Sequence, residues 1–381
     1  MLRNSPLKPS PADIMNHIPK AKMNKKLIYL IFVLTLNFSC VEKKSTKIET
    51  INPEPIATSK TDTLKFTSAI RAIFQDSKGN YWLGSHNEGV SFYNGKSYDY
   101  FTTKEGLSDN QIRSIQEDEN GRIWFGTANG ISVYEKGKLT NYPSKNNNGI
   151  LDWNKTHGDL WFYAWEEDGI NRFDGINMNY LIFPKPKNKQ PDKSYGVTGI
   201  SKDKDGKIWI ATYSALFSYD NKMVNIFDAE KLKLKDNKQL HIRTVLADSK
   251  GRIWIGNNGI GVLLIENNSI INFSEKNNLI HPTSTRRGGN KSLPGTLEHP
   301  FAIEEDLDGN IWFGDVYTGA WKYDGLNFTN YSISDNPSKP MIWTIYKDNQ
   351  NNLLFGMADG NIFKFNGKTF EKQFKNYEVK Q

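Results

Sequence analysis

Residues 105–139 read EGLSDNQIRSIQEDENGRIWFGTANGISVYEKGKL, and this stretch decides the fold. IRSIQED is a short run of alternating apolar residues, DENG is a turn, and IWFGT and ISVYE are two more runs split by the glycine of ANG. Runs of about five residues suit strands and are too short for helices. Asp118 can hydrogen-bond backbone two residues on, and Gly121 accepts positive φ at no steric cost. Trp124 and Phe125 alternate faces, with Gly126 keeping the backbone slim where a neighbour packs closely. An antiparallel meander of this kind cannot bury its faces alone, so it calls for neighbours.

Those neighbours are copies of itself. The tryptophan of the second strand returns at Trp82, Trp124, Trp161, Trp209, Trp254 and Trp312, with Leu354 in the last copy, at intervals of 42, 37, 48, 45, 58 and 42 residues. Upstream lie the turns DSKGN, DENGR, THGD, DKDGK, DSKGR, DLDGN and DNQNN; downstream come two further apolar strands per copy. Seven copies of four strands predict an all-β, seven-bladed β-propeller of four-stranded antiparallel blades over 70–374. The blades are expected at 70–101, 112–142, 150–183, 197–227, 242–273, 300–331 and 342–374, followed by a tail at 375–381. A β-sandwich has no reason to repeat seven times in register. The repeat tryptophans are expected in the core, and Trp153, Trp321 and Trp343, inside strands, in inter-blade packing. The last copy already holds four strands, which leaves the manner of ring closure open.

Ahead of the repeats, residues 1–39 form a signal-peptide region with its better start at Met23. MNKK supplies charge, LIYLIFVLTL is an apolar run too short to span a bilayer, and NFSC ends in the chain's only cysteine, Cys40. The segment resembles a bacterial lipoprotein signal with Cys40 as the lipidated residue, although Asn37 stands where such signals carry an aliphatic side chain, so plain secretion stays open. Residues 40–69 are polar and aperiodic, with Pro53 and Pro55, and read as a flexible tether whose end, 64–66, could add a strand to a blade edge. The formal charge of +7 falls to about +2 once the residues before Cys40 are removed, and no basic stripe with interleaved aromatics appears. That balance argues against nucleic acid as a partner.

In a four-stranded blade, the inter-blade link and the turn between strands two and three share one face. The links 143–149, 184–196, 228–241, 274–300 and 332–340 vary in length, while the turns after the repeat Asp stay short, which marks the link-bearing face for binding. Candidate ligand-binding residues there are Trp165, Glu166, His86, Glu88, Asp315, Tyr317, Arg286, Arg287 and His299. An aromatic ring beside acids suits a carbohydrate, and Arg286 with Arg287 could clamp a carboxylate. Arg71, Arg113 and Arg243 recur second in their first strands near the channel mouth, a recurrence that implies a structural role first and ligand contact second. No HExxH, GxSxG, P-loop or paired-cysteine metal motif occurs, so no catalytic residue or metal ligand is assigned; no cofactor is expected, and a divalent cation has no sequence support. Whether His86, His241 and His299 converge on the channel cannot be read from the sequence.

The pattern [IV]-x-x-I-x-x-D-x-x-G-x-[IL]-W-[IF]-G-T-x-x-G-[IL]-x-x-[YF], preceded by GLSDNQ, resembles the two-component regulator propeller repeat, most closely at 70–135, 242–265 and 301–325. Blade three, with THGD and FY at the usual glycine, and blade seven, with Leu354, depart from it. The resemblance implies a sensory, ligand-binding propeller on the cell envelope, since such propellers usually form periplasmic sensors of hybrid histidine kinases and often detect oligosaccharides. No kinase or further membrane segment is seen before Gln381. The expected partner is a carbohydrate or small polar ligand, or an envelope protein, with a monomer held to the membrane through a lipid anchor only. A protein-interaction scaffold is the alternative, and a lyase similar to the streptogramin lyases is a second.

Overall fold

The structure, a computed structural model, describes residues 60–143, 156, 158–163, 168–184, 195–220, 223–234, 239–281, 292–333 and 341–374. The signal region, Cys40, the first part of the tether, Trp153 and the tail lie outside the described residues. Seven antiparallel sheets form a seven-bladed propeller. The blades are β1–β4 (70–101), β5–β8 (112–142), β9–β11 (160–182), β12–β15 (197–227), β16–β19 (242–272), β20–β23 (300–331) and β24–β27 (342–373). Six are four-stranded meanders in chain order; the third shows β9–β11, and the chain at 144–155 ahead of it is outside the described residues.

The repeat motif explains how one blade seats the next. In every blade but the third, the second strand is buried along nearly its whole length, because neighbours cover both of its faces. Trp82 packs on Phe125 and Tyr134 of the following blade, Trp124 on Phe162 and Phe173, and Trp312 on Phe355 and Phe365. In five blades the indole Nε1 donates to the turn aspartate six residues earlier, at 2.8–3.0 Å from Asp76, Asp118, Asp203, Asp248 and Asp306. The other carboxylate oxygen of the same aspartate takes two backbone N–H groups of its own turn, as with Lys78 and Asn80 on Asp76. The Asp-to-Trp spacing is therefore a latch that fixes the turn and orients the indole together. The glycine two residues after the tryptophan is empty for a steric reason: a Cβ on Gly84 would lie 2.5 Å from Ile112 of the next blade, and one on Gly314 would lie 2.6 Å from Ile342.

The two departing blades have their own solutions. Blade three lacks the turn aspartate six residues before Trp161 and instead buries a bidentate pair, with Arg172 Nε and Nη2 each donating to Asp159 at 2.9 Å. In blade seven Leu354 needs no indole acceptor, which leaves Asp348 to serve another role. Tyr81 of blade one donates to Asp348 Oδ2 at 2.8 Å, across the seam where the ring closes. Gln75 reinforces the seam, its N–H donating to Tyr346 Oη at 2.9 Å and its Oε1 accepting from Asn349 N at 2.9 Å. Blades one and seven each take all four strands from one end of the ring, so closure uses no swapped strand.

The lead-in segment completes the closure. Leu64 and Phe66 are buried with Ile70, Leu83, Leu354 and Ile362, between the first and last blades. The expectation of a tether reaching residue 69 is thus corrected: the packed ring begins by Leu64, because two large apolar side chains fill the seam. The segment makes a single bridge, Thr61 to Tyr98, on the outer strand of blade one rather than an added strand.

Candidate functional site

The innermost strands β1 (Ile70–Gln75), β5 (Ile112–Glu117), β12 (Val197–Lys202), β16 (Ile242–Ala247), β20 (Pro300–Glu305) and β24 (Ile342–Lys347) share one irregularity. In each, the register to the second strand slips between the first and third residues. Such a bulge removes the second residue from the ladder and re-aims its side chain. The six residues so released are Arg71, Arg113, Thr198, Arg243, Phe301 and Trp343, and all of them line a cavity of about 400 Å³ in the central channel. Tyr163 joins them: it occupies the glycine position of blade three and, with Tyr213, completes the wall. The packing role expected of Trp343 is corrected here, since the bulge turns its ring to the channel, whereas Trp321 is buried in the inter-blade core as expected.

Within the cavity, cations meet aromatic faces. The Arg71 guanidinium lies 4.9 Å from the Trp343 ring, and that of Arg243 lies 4.2 Å from Phe301, 5.5 Å from Tyr213 and 5.9 Å from Trp343. Arg71 Nη1 donates to His86 Nδ1 at 3.2 Å, and Arg113 Nη2 to Gln111 Oε1 at 3.1 Å. An arginine can only donate, so His86 Nδ1 accepts and the neutral ring carries its proton on Nε2. Burial, followed by the charges of Arg71 and Arg113, holds His86 below its usual range. Arg71 itself is brought down to about 10 by burial and then by Arg113 and Arg243. Its surface meets the cavity rather than bulk water, so it is partly accessible and yet deep in the protein. Burial raises the Tyr163 phenol while Arg71 and Arg113 oppose that rise. Deeper along β20, burial pushes Glu304 up to about 7 against the backbone N–H of Glu305 and the charge of Lys347.

The residues singled out in the sequence fall into four groups. His86 sits at the mouth, in contact with Arg71 and 5.9 Å from the Trp343 ring. Glu88 and Asp315 hold backbone: Glu88 accepts from the N–H and hydroxyl groups of Thr67 and Ser68, clamping the lead-in segment. Asp315 is fully buried and accepts from the N–H groups of His299, Tyr317 and Thr318. His299 and Tyr317 pack edge to face at 5.1 Å, and His299 Nδ1 lies 2.5 Å from Asn258 Oδ1. His241 packs on Tyr213 at 4.9 Å. Each histidine thus has its own local partners. Trp165, Glu166, Arg286 and Arg287 lie outside the described residues. Among the described residues no three His, Cys, Asp or Glu side chains cluster as a metal site would. What the sequence reading missed at this site is the bulge, whose signal was the shared second position of the first strands.

A family model described as "Two component regulator propeller" matches residues 64–87, 106–129 and 192–214. The chain carries two component regulator propeller repeats. Among solved structures, the extracellular domain of a putative hybrid two component system from B. thetaiotaomicron is similar at 22% identity and a TM-score of 0.59, over 82% of this chain and 41% of that one. These propeller repeats therefore span about two fifths of that relative's length. A second extracellular domain from B. thetaiotaomicron, of a putative one component system, is similar at 20% identity and a TM-score of 0.58, over 80% of this chain and 39% of that one. Virginiamycin B lyase from Staphylococcus aureus is similar at 16% identity and a TM-score of 0.58, over 81% of this chain and 98% of that one. At these identities the likeness is one of fold. No curated protein matches the sequence.

Proposed function

We propose that this chain is a recognition module of the cell envelope, which takes a polar ligand into the mouth of its central channel. One observation carries the reading: the bulge of each described inner strand turns a side chain out of the blade and into a shared cavity of about 400 Å³, a volume within the range of small-molecule sites. Core packing does not require those side chains, and three of them are arginines. The likeness to extracellular domains of two-component systems supports a sensory role, and the apolar run before Cys40 supports export and anchoring. An interaction scaffold would favour exposed apolar groups clustered on the link-bearing face. Among the described residues, four of the six exposed large apolar side chains, Ile176, Met223, Leu307 and Leu326, instead occupy turns of the opposite face, in three different blades, and two, Leu293 and Tyr317, lie on the link-bearing face.

A thermal-shift screen of the purified protein against saccharides and small polar metabolites tests the reading. A ligand at 100 times its dissociation constant stabilises the folded ring by about 2.7 kcal/mol. A hit that Trp343→Ala abolishes supports the channel mouth; hits indifferent to Trp343→Ala, Arg71→Gln and Arg243→Gln would overturn it. Incorporation of labelled palmitate that Cys40→Ser removes supports the anchor, and equal labelling of the variant would remove it.

A further inference from the structure

We propose that the seam between blades seven and one is a second binding site, which takes a planar aromatic ring of about the size of indole into the space that the repeat tryptophan fills elsewhere. The site lies apart from the channel mouth and does not depend on the reading above.

Leu354 stands where each of the other six blades carries its tryptophan. In five of those blades the indole lies 4.4–6.2 Å from an aromatic ring of the following blade. At the closing seam the corresponding ring is Tyr93, paired with Tyr81 as Tyr134 is with Ile123, and no indole meets it. The neighbours of Leu354 do not make up the difference in volume. A cavity of about 510 Å³ opens there, between Leu354, Tyr93, Tyr81 and Phe374.

Strand register identifies two more positions of the wall. Gln373 occupies the place from which Phe101, Tyr142 and Tyr331 stack on the indole of their own blade at 5.5–6.0 Å. Lys364 pairs with Leu354 as Arg172 pairs with Trp161 and Lys322 with Trp312. In both of those blades the cation lies over the indole, at 5.9 and 5.7 Å. Blade seven and its neighbour therefore keep the cation and the partner ring of the repeat and leave out what lies between them.

The walls select a flat guest. Tyr93 stacks on Tyr98 at 4.5 Å, and Phe374 meets Tyr81 and Tyr93 edge-on at 5.3 and 5.5 Å, so the sides of the cavity are aromatic. Rings pack on other rings offset or edge to face, and an ammonium group is drawn to a ring face. Tyr81, Tyr93, Lys364, Gln373 and Phe374 are half-buried, which gives the cavity a way in from solvent. The acceptor of the repeat is already in use, since Asp348 Oδ2 takes Tyr81 Oη at 2.8 Å and Asn352 Nδ2 at 2.9 Å. The guest is thus chosen by its planar apolar face and not by an N–H group. Its entry removes apolar surface of ring and wall from water together.

The test uses the purified full chain and 5-fluoroindole, followed by its fluorine NMR signal, with the Leu354→Trp variant in the same solution as the blank for non-specific partition. Wild-type protein is expected to shift and broaden the signal, unlabelled indole to displace the probe, and cyclohexanol to displace it at least tenfold less well. Leu354→Trp supplies the missing side chain and is expected to abolish binding while raising the melting temperature. Leu354→Phe fills less of the cavity and should weaken binding at least threefold, which keeps the test decisive if the tryptophan variant fails to fold. Lys364→Met keeps the apolar stem, removes the charge and should weaken binding about two- to fivefold. Absence of binding at millimolar probe, or binding that both Leu354 variants leave intact, would overturn the seam site. Binding that Trp343→Ala removes would place the ring in the channel and overturn it too. Equal displacement by indole and cyclohexanol would overturn the aromatic class. Binding that appears only after residues 375–381 are deleted would make the end of the chain the occupant and overturn an external ligand.

Discussion

Replacing Tyr81 by phenylalanine removes one oxygen from the seam where blade one meets blade seven, and nothing else. The lost interaction is the 2.8 Å bond from the phenol to Asp348 Oδ2. A hydrogen bond to a charged acceptor contributes about 1.5–3 kcal/mol. Asp348 keeps three other donors, Gln350 N at 2.9 Å, Asn352 N at 2.8 Å and Asn352 Nδ2 at 2.9 Å. The carboxylate is therefore not orphaned, which places the loss near the lower end, at about 1.5 kcal/mol. The ring itself keeps its edge contact with Phe374 at 5.3 Å. For a large domain a loss of that size lowers the melting temperature by roughly 3–6 °C. Urea unfolding at pH 7 of the wild type, Tyr81→Phe, Asp348→Ala and the double variant measures it. The two single losses should not add, because each breaks the same bond. Full additivity, or an unchanged midpoint for Tyr81→Phe, would refute a closing bond at this seam. Alkaline pH supplies a second arm. Burial, then the bond to Asp348 and its charge, raise the Tyr81 phenol above its ordinary 10.0. A raised group stabilises fully below the unfolded value and loses that contribution as pH climbs beyond it. The advantage of the wild type over Tyr81→Phe should therefore shrink once the pH passes about 10.

Three other outcomes are expected. Arg172→Met strands the Asp159 carboxylate in a buried site where both side chains are only 6% exposed, and should cost about 3–5 kcal/mol in denaturant unfolding; adding Asp159→Leu should recover most of it. Asp248→Ala removes the acceptor of Lys250 N, Arg252 N, Arg252 Nε and the fully buried indole of Trp254, and should lower stability by about 3 kcal/mol or more with a change in tryptophan emission. Glu304 is raised from 4.5 to about 7, so the protein should lose stability as pH rises from 4.5 through 7, and Glu304→Gln should flatten that stretch of the stability–pH curve.

The blade count, the strand positions and the core tryptophans were legible because the repeat is written seven times, and a tryptophan with an aspartate six residues before it, as in five of those copies, cannot recur in register by accident. The physical meaning of that spacing was less legible. Asp118 was readable as a turn former, but its second oxygen, bonded to Trp124 Nε1 at 2.8 Å, closes through space and not along the chain. The same holds between blades, where Ser77 donates through its N–H and hydroxyl to Glu117, and Ser249 does so to Glu305, forty or more residues on. Leu354 looked like a defect in the repeat and proves to be the condition for Asp348 to reach Tyr81. The candidate site divided along similar lines. Glu88 and Asp315 carry the right chemistry for a ligand, yet burial and backbone N–H groups already occupy them. The arginines were noticed as a recurrence and ranked as structural, because a bulge between the first and third residues leaves no mark on strand periodicity.

The bulge also accounts for why this fold tells so little about its ligand. The first and third residues of each inner strand belong to the blade. Ile112 fills the space beside Gly84 of the neighbouring blade, and a Cβ on Gly314 would likewise strike Ile342, so change there is felt as overpacking or as a cavity. The second residue belongs to neither ladder nor blade interface. It can be Arg, Thr, Phe or Trp, as at 71, 198, 301 and 343, without altering how the blades seat. A ring of repeats thereby separates its two duties by a single backbone step, with stability resting on one position and recognition on the next. Chains that share this ring at 16–22% identity can hold the same blades and present unrelated mouths. It follows that the bulged position, at 71, 113, 198, 243, 301 and 343, is the one where folding constrains the side chain least and a ligand can constrain it most.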